Sequence, residues 1–153
     1  MFREMRRIKN QMSDQLALEF LANCQEGVLA TISSDNGYPY NVVVNYVLYN
    51  NKIYFHSAKE GHKIDNILKN DKVCFSVYGN VSVVEETFTT KYQSVTLFGK
   101  AKVIPSTREV LFEFIKKYSP NFLKEGKSYV DKEYSEPTLV EIEIEHITGK
   151  ERL

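Results

Sequence analysis

Tyr40 to Tyr49 constrains this chain most, because these residues are strand-forming and apolar on both parities. Val42, Val44, Tyr46 and Leu48 fall on one face, with Val43, Val47 and Tyr49 on the other. A strand apolar on both faces belongs inside a closed or covered sheet. Asn45 interrupts the pattern. A buried amide must find partners, so Asn45 either bonds a neighbouring backbone group or faces a polar ligand.

The strand turns at Asn50-Asn51 into a second strand, Lys52 to Ser57, with Ile53 and Phe55 facing one way and Tyr54 and His56 the other. The loop from Ala58 to Gly61 then opens a helix with Lys63 in its first turn, burying Ile64, Ile67 and Leu68 and stopping at Asn70-Asp71. Strand, polar loop and helix start with a cation can seat a phosphate, because the first-turn N–H groups lack intrahelical partners and the helix dipole favours negative charge there. Two readings of Lys63 stand side by side. It is a phosphate ligand supported by His56, Ser57 and His62, or it is a solvated lysine on a surface helix. A cation set against the dipole is easier to justify if an anion lies between them.

The rest of the chain frames this unit. Residues 13 to 25 read as a helix capped by Ser13 or Asp14, with Leu16, Ala17, Phe20, Leu21 and Cys24 on one stripe and Gly27 ending it. Val28 to Ser33 alternates and is joined to Tyr40–Tyr49 through the turn signal Ser34-Asp35-Asn36-Gly37, which predicts a hairpin. Val73 to Tyr78 is a further strand ending at Gly79-Asn80, and Val81 to Thr90 reads as a short strand plus an exposed loop. Ser94 to Ile104 is a long strand with Gly99 as a bulge or close approach. Ser106-Thr107-Arg108-Glu109 is a capping box for a helix with the stripe Val110, Leu111, Phe114, Ile115 and Tyr118, which Ser119-Pro120 ends. Residues 120 to 136 read as irregular with a single helical turn. In the last strand Val140, Ile142 and Ile144 face inward, Glu141, Glu143 and Glu145 face water, and His146 lies at the strand end. Six or more strands with few helices predict a mainly β protein, a small barrel with peripheral helices.

Composition narrows the function classes. A length of 153 residues predicts one domain. Twenty Lys and Arg balance twenty Asp and Glu, so the clustered positive charge of a nonspecific nucleic-acid binder is not expected, and the short basic run Arg3, Arg6, Arg7, Lys9 reads as a solvated arm. No apolar stretch reaches the roughly 18 residues of a membrane span, and the first residues lack the apolar core of a signal peptide, which predicts a cytoplasmic protein. Cys24 and Cys74 read as buried free thiols, and with His56, His62 and His146 they form no metal-ligand spacing, so no metal is expected. No serine or cysteine carries a nucleophile signature, and no dinucleotide or Walker pattern occurs. No catalytic side chain is assigned. Hard chemistry would fall to a bound cofactor.

Three runs taken together resemble a known family. They are Gly37-Tyr38-Pro39-Tyr40-Asn41-Val42-Val43-Val44-Asn45-Tyr46-Val47, then Ile53-Tyr54-Phe55-His56-Ser57-Ala58 with Gly61 and Lys63, then Tyr92-Gln93-Ser94-Val95 with Phe98-Gly99-Lys100-Ala101. In order and spacing they resemble the FMN-binding split-barrel superfamily, and within it the nitroimidazole-resistance branch of the pyridoxamine 5'-phosphate oxidase-like proteins. The closing Ile147-Thr148-Gly149-Lys150 is similar to that branch too. The resemblance implies a homodimer of split β-barrels with FMN at the subunit interface. By position, Asn41, Val42, Val44 and Asn45 would line the flavin through backbone groups. His56, Ser57 and Ala58 would flank it, His62 and Lys63 would hold the phosphate, and Ser94 and Val95 would reach in from the other subunit. Val43 stands where the family commonly has a proline, Gln93 where it has an arginine, and His62 where true pyridoxamine phosphate oxidases use an arginine. Their arginine-rich substrate site is not apparent, so vitamin B6 oxidation is not expected.

The resemblance implies an FMN-dependent oxidoreductase passing electrons to a small acceptor such as a nitro compound. The alternatives are a flavin- or other ligand-binding dimer without catalysis, or a split barrel that binds haem.

Overall fold

The computed structural model describes all 153 residues. Seven antiparallel strands form one curled sheet, a half-barrel, with four α-helices around it. Helix α1 (Asp14–Asn23) leads into β1 (Glu26–Ile32), β2 (Pro39–Asn45), β3 (Val47–Tyr49) and β4 (Lys52–Ser57). Then come α2 (His62–Lys69), β5 (Lys72–Val84), β6 (Thr89–Pro105), α3 (Arg108–Tyr118), α4 (Leu123–Glu133) and β7 (Thr138–Arg152). The spatial order is β2-β1-β5-β6-β7-β4-β3. The expected β1–β2 hairpin forms, with Val28 opposite Val43, and the second hairpin turns at Asn50-Asn51, both at positive φ. The mainly β split-barrel expectation is borne out.

The stretch Tyr40–Tyr49 does not form one strand buried on both faces. It breaks at Tyr46, and its halves lie at opposite edges of the sheet. Along β2 half-buried residues alternate with exposed ones, and Val43 is 65% exposed. Tyr46 lies where the sheet's two edges meet in the chain. Its side chain is fully buried, edge-on to Phe75 at 4.8 Å, with the hydroxyl donating to the Leu21 carbonyl of α1.

A break inside a sheet strands a backbone N–H and C=O that must find partners. The end of α3 supplies them. Tyr46 N–H donates to the Tyr118 hydroxyl (2.9 Å), whose own proton serves the Tyr46 carbonyl (2.7 Å) and the Gln25 carbonyl (2.5 Å). Lys117 Nζ donates to the Tyr46 carbonyl (3.0 Å) and lies 4.0 Å from the centre of the Tyr46 ring. Asn45 Nδ2 donates to the Gln25 carbonyl (3.0 Å), so its amide has the backbone partner foreseen as one of its two options.

The main core lies inside the curl, where Leu29, Ile53, Phe55, Phe75, Leu97, Val140 and Ile142 meet Ala17 and Leu21 of α1 and Ile64 and Ile67 of α2. A second, smaller cluster forms where α3 and α4 cover Val47, Tyr54 and Leu139.

Several expectations need correction. Gly27 does not end α1 but lies within β1, where a Cβ would come 2.2 Å from the Phe75 ring. Leu16 and Leu68 are exposed. The helix cap is Thr107, whose side chain accepts from Val110 N–H at 3.3 Å, while Ser106 bonds the Tyr134 carbonyl. Residues 120 to 136 are not irregular: α4 runs for 11 residues, with Gly126 seated against Ile115 and Val130 buried. Tertiary packing stabilises a helix whose own pattern is weak. Glu141 does not face water; it is buried, accepting from Tyr54 (2.9 Å) and Lys52 (3.3 Å) with Lys102 at 3.5 Å. His146 is not at a strand end, because β7 continues to Arg152; its ring stacks on Phe2 at 4.9 Å. Strands β5 and β6 extend beyond Gly79 and before Ser94 into a projecting two-stranded arm.

Tyr118→Phe removes the acceptor of the Tyr46 N–H, while the Tyr46 and Gln25 carbonyls keep Lys117 and Asn45 as donors. Stability in urea unfolding is expected to fall by about 1–3 kcal/mol, the cost of leaving one buried polar group unpaired. A loss too small to measure would detach the seam from that hydroxyl.

Candidate functional site

Strand β4 ends with His56 and Ser57 on opposite faces. The loop from Ala58 leads through Gly61, at φ +148, into α2. No side chain caps this helix, so its first N–H groups remain open. The helix is anchored by Asn66, which is fully buried. Its Oδ1 accepts from Ser34 N–H (2.8 Å), and its Nδ2 donates to Thr31 Oγ1 (2.9 Å). Two hydrogen bonds from one amide thus fix the start of α2 against β1 and the following turn.

Beside this helix start lies a cavity of about 650 Å³. One wall carries His56, Ser57, Ala58 and Lys63. The opposite wall comes from α3 and α4, with Leu111, Phe114 and Ile115 facing Tyr129, Val130 and Glu133, and Glu136 and Pro137 closing one end. Ser57 is buried, and its hydroxyl has no hydrogen-bond partner. An orphaned buried hydroxyl costs free energy unless something occupies it. The His56 ring lies 5.0 Å from that of Phe114, and partial desolvation lowers its imidazole from the ordinary histidine value, favouring the neutral form. The site therefore joins a cation, a free hydroxyl and open N–H groups to a largely apolar wall that also carries Glu133 and Glu136. It can hold an anion at one end and a flat apolar body along the other.

The expected site residues fall into four places. His56, Ser57, Ala58 and Lys63 line the cavity. Asn41, Val42, Val44 and Asn45 lie along the edge strand β2, with Val42 and Val44 packed on the core and Asn41 and Asn45 exposed. His62 turns towards the β1–β2 turn: Nε2 is 3.1 Å from Ser33 Oγ and 3.8 Å from Asp35, and the ring lies 4.2 Å from Tyr40. Ser94 is half-buried opposite Tyr78 and Lys150, while the Val95 side chain belongs to the core of its own protomer.

Sequence reasoning missed the α3–α4 wall. The stripe Leu111, Phe114, Ile115 was legible as an apolar helix face, but its partner α4 was not. A second cavity of about 700 Å³ on the other side of the sheet, lined by Phe2, Ile32, Cys74 and Phe98 among others, contains none of the expected residues. No group of three or more His, Cys, Asp or Glu side chains is placed to hold a metal, and no helix is long and apolar enough to cross a membrane.

The curled sheet with a site at a strand-to-helix junction defines a split-barrel protein. A family model described as pyridoxamine 5'-phosphate oxidase matches residues 13–151, and the chain belongs to that family. No curated protein matches the sequence significantly. Among solved structures, a conserved hypothetical protein of Mycobacterium tuberculosis superposes with a TM-score of 0.81 at 19% identity, covering 97% of this chain and 90% of its own. A candidate 5-nitroimidazole antibiotic resistance protein of Bacteroides thetaiotaomicron gives 0.68 at 20% identity, covering 92% and 85%. A flavocytochrome of Azotobacter vinelandii gives 0.70 at 18% identity, covering 99% and 73%. At these identities the likeness is one of fold.

Two outcomes are expected from the geometry. Asn66→Ala leaves Ser34 N–H and Thr31 without their partner, so stability should drop by about 1–3 kcal/mol, read by denaturant titration. Because the folded state favours the neutral form of His56, the unfolded chain binds its proton first as pH falls through about 6.5. His56 thus subtracts stability on the acid side. In His56→Asn, the decline of the unfolding midpoint between about pH 7 and pH 5.5 should be shallower than in the wild type.

Proposed function

We propose that this protein is a homodimeric FMN-dependent oxidoreductase that passes electrons from an external donor to a small acceptor such as a nitro compound. The observation that carries the reading is the buried, unpartnered hydroxyl of Ser57, on the cavity wall shared with Lys63 at the uncapped start of α2. These groups suit a phosphate. The Ser57 hydroxyl can donate to it, Lys63 can neutralise it, and the first N–H groups of α2 can point at it. Membership of the family and the sequence motifs support FMN as the bearer of that phosphate.

Bound FMN would supply the redox chemistry of its flavin ring. The protein's own residues position and exclude. Leu111, Phe114 and Ile115 keep water from one side of the cavity. Neutral His56 can offer one hydrogen bond without bringing charge. The edge strand β2, which carries Asn41, Val42, Val44 and Asn45, leaves the backbone groups of every second residue unpaired and free for the flavin's polar edge. No side chain is needed as a nucleophile.

The homodimer is supported by the outer face of the sheet. The row Val43, Val28, Ser76, Thr96, Thr148 and the row Asn41, Ala30, Cys74, Phe98, His146 cross five strands without a lysine, arginine or carboxylate. Ser94 lies on the same face, where a second copy could bring it to the partner's flavin. The name of the Bacteroides relative supports a nitro compound as acceptor.

The visible spectrum of the purified protein, before and after adding FMN, tests the reading. Flavin bands at about one FMN per chain are expected, with rapid reoxidation of the reduced protein by an added nitroimidazole. A protein that takes up no flavin would refute the proposal, and flavin binding without turnover would leave a carrier. Lys63→Ala should weaken FMN binding by about 1–3 kcal/mol, the range of a charge-assisted hydrogen bond. Unchanged affinity would remove Lys63 from the phosphate site.

A further inference from the structure

Beyond Gly79 the β5–β6 ribbon leaves the barrel and runs on through the pairs Ser82–Lys91, Val83–Thr90 and Val84–Thr89. Its tip is the short turn Glu85–Thr87 followed by Phe88. Phe88 is 96% exposed and sits in the left-handed region at φ +54, an uncommon conformation for a bulky residue. Val81 and Val83 are exposed along the same arm. Neither Glu85 nor Glu86 has an ion-pair partner among the salt bridges of the protomer. An apolar, acidic tip held out in water is unpartnered on both counts.

At the foot of the arm the opposite charge is concentrated. Arg6, Arg7, Lys9 and Arg152 surround one concavity of about 490 Å³ together with exposed Ile8. None of these four cations is in an ion pair. Arg152 pairs with Tyr92 at the end of β7, which places this basic collar beside the root of the ribbon. The extended residues Val81 to Val84 hold the tip about 13 Å out from the bulge at Asn80, and so away from its own collar.

We propose that the arms clasp a second copy of this chain, the acidic tip of each docking on the basic collar of the other. Two arms laid side by side and antiparallel about a two-fold axis bring each tip to the other's foot, as an isologous contact requires. Glu85 and Glu86 meet Arg6, Arg7, Lys9 and Arg152, and Phe88 meets Ile8. The clasp rests on the homodimer reading above and specifies the contact that holds it.

The test is the dimer dissociation constant of the full chain by sedimentation, with flavin content measured in parallel. Glu85→Lys with Glu86→Lys should weaken the dimer at least about tenfold, as should Arg6→Glu with Arg7→Glu. Combining all four should restore it to within about threefold of the wild type. Raising the salt should weaken the wild-type dimer and leave each charge-swapped pair less affected. Thermal unfolding of each variant checks that the exposed substitutions leave the fold intact. If the wild type is a flavin-loaded dimer and the swaps do not alter it, the clasp is wrong and the flavoenzyme reading stands. A flavin-free monomeric wild type overturns both. Binding of heparin that Arg6→Glu with Arg7→Glu abolishes, with the dimer unchanged, would make the collar a polyanion site and overturn the clasp.

Discussion

The structure depends on how the backbone of Tyr46 is satisfied. One residue joins the two edges of a seven-stranded sheet, and its N–H and C=O lie in neither ladder. Tyr118 and Lys117, from a helix more than seventy residues further along, take up both groups. Burial drives the cost of failure: an unmade hydrogen bond at that position is worth more than most single packing contacts. It draws Lys117 down to about 8, since the ammonium is partly removed from water beside the Tyr46 ring.

The same helix that closes the seam also makes the site. Helix α3 turns Tyr118 to the break at Tyr46 and Phe114 to His56, so fold closure and cavity wall share one element. On the other side, Asn66 holds α2 against the β1–β2 turn and thereby sets where Lys63 stands. The cavity is therefore not a loop feature. Its polar end hangs on one buried amide and its apolar end on one helix pair, and both anchors are long-range contacts.

Much of the architecture was legible where periodicity or turn chemistry was strong. The β1–β2 hairpin followed from alternation and the Gly37 turn, β4 from the Asn50-Asn51 turn, and the α3 face from its apolar stripe. Helix α4 was not legible because its residues are mostly polar, and it is held by Gly126 against Ile115 rather than by its own pattern. The burial of Glu141 was hidden for a similar reason. Strict alternation assigns it to water, and only the placement of Tyr54, Lys52 and Lys102 around it makes its burial tolerable. Of the site, the β4–α2 unit could be read locally, whereas the wall facing it could not.

By itself the sequence determined the strands and helices with strong periodicity or turn chemistry, and it determined the polar start of α2, because those follow from spacing within a few residues. It also carried the order of motifs by which the family is recognised. Only the tertiary structure decided that Tyr40–Tyr49 is cut at Tyr46 and that His62 turns to Ser33 while Lys63 stays on the cavity. It alone left the Ser57 hydroxyl buried without a partner. Periodicity records which face of a segment is apolar, but not which other segment covers it. Burial, desolvation and the satisfaction of polar groups are properties of that pairing, and they come into being only when the sheet curls and the helices close over it.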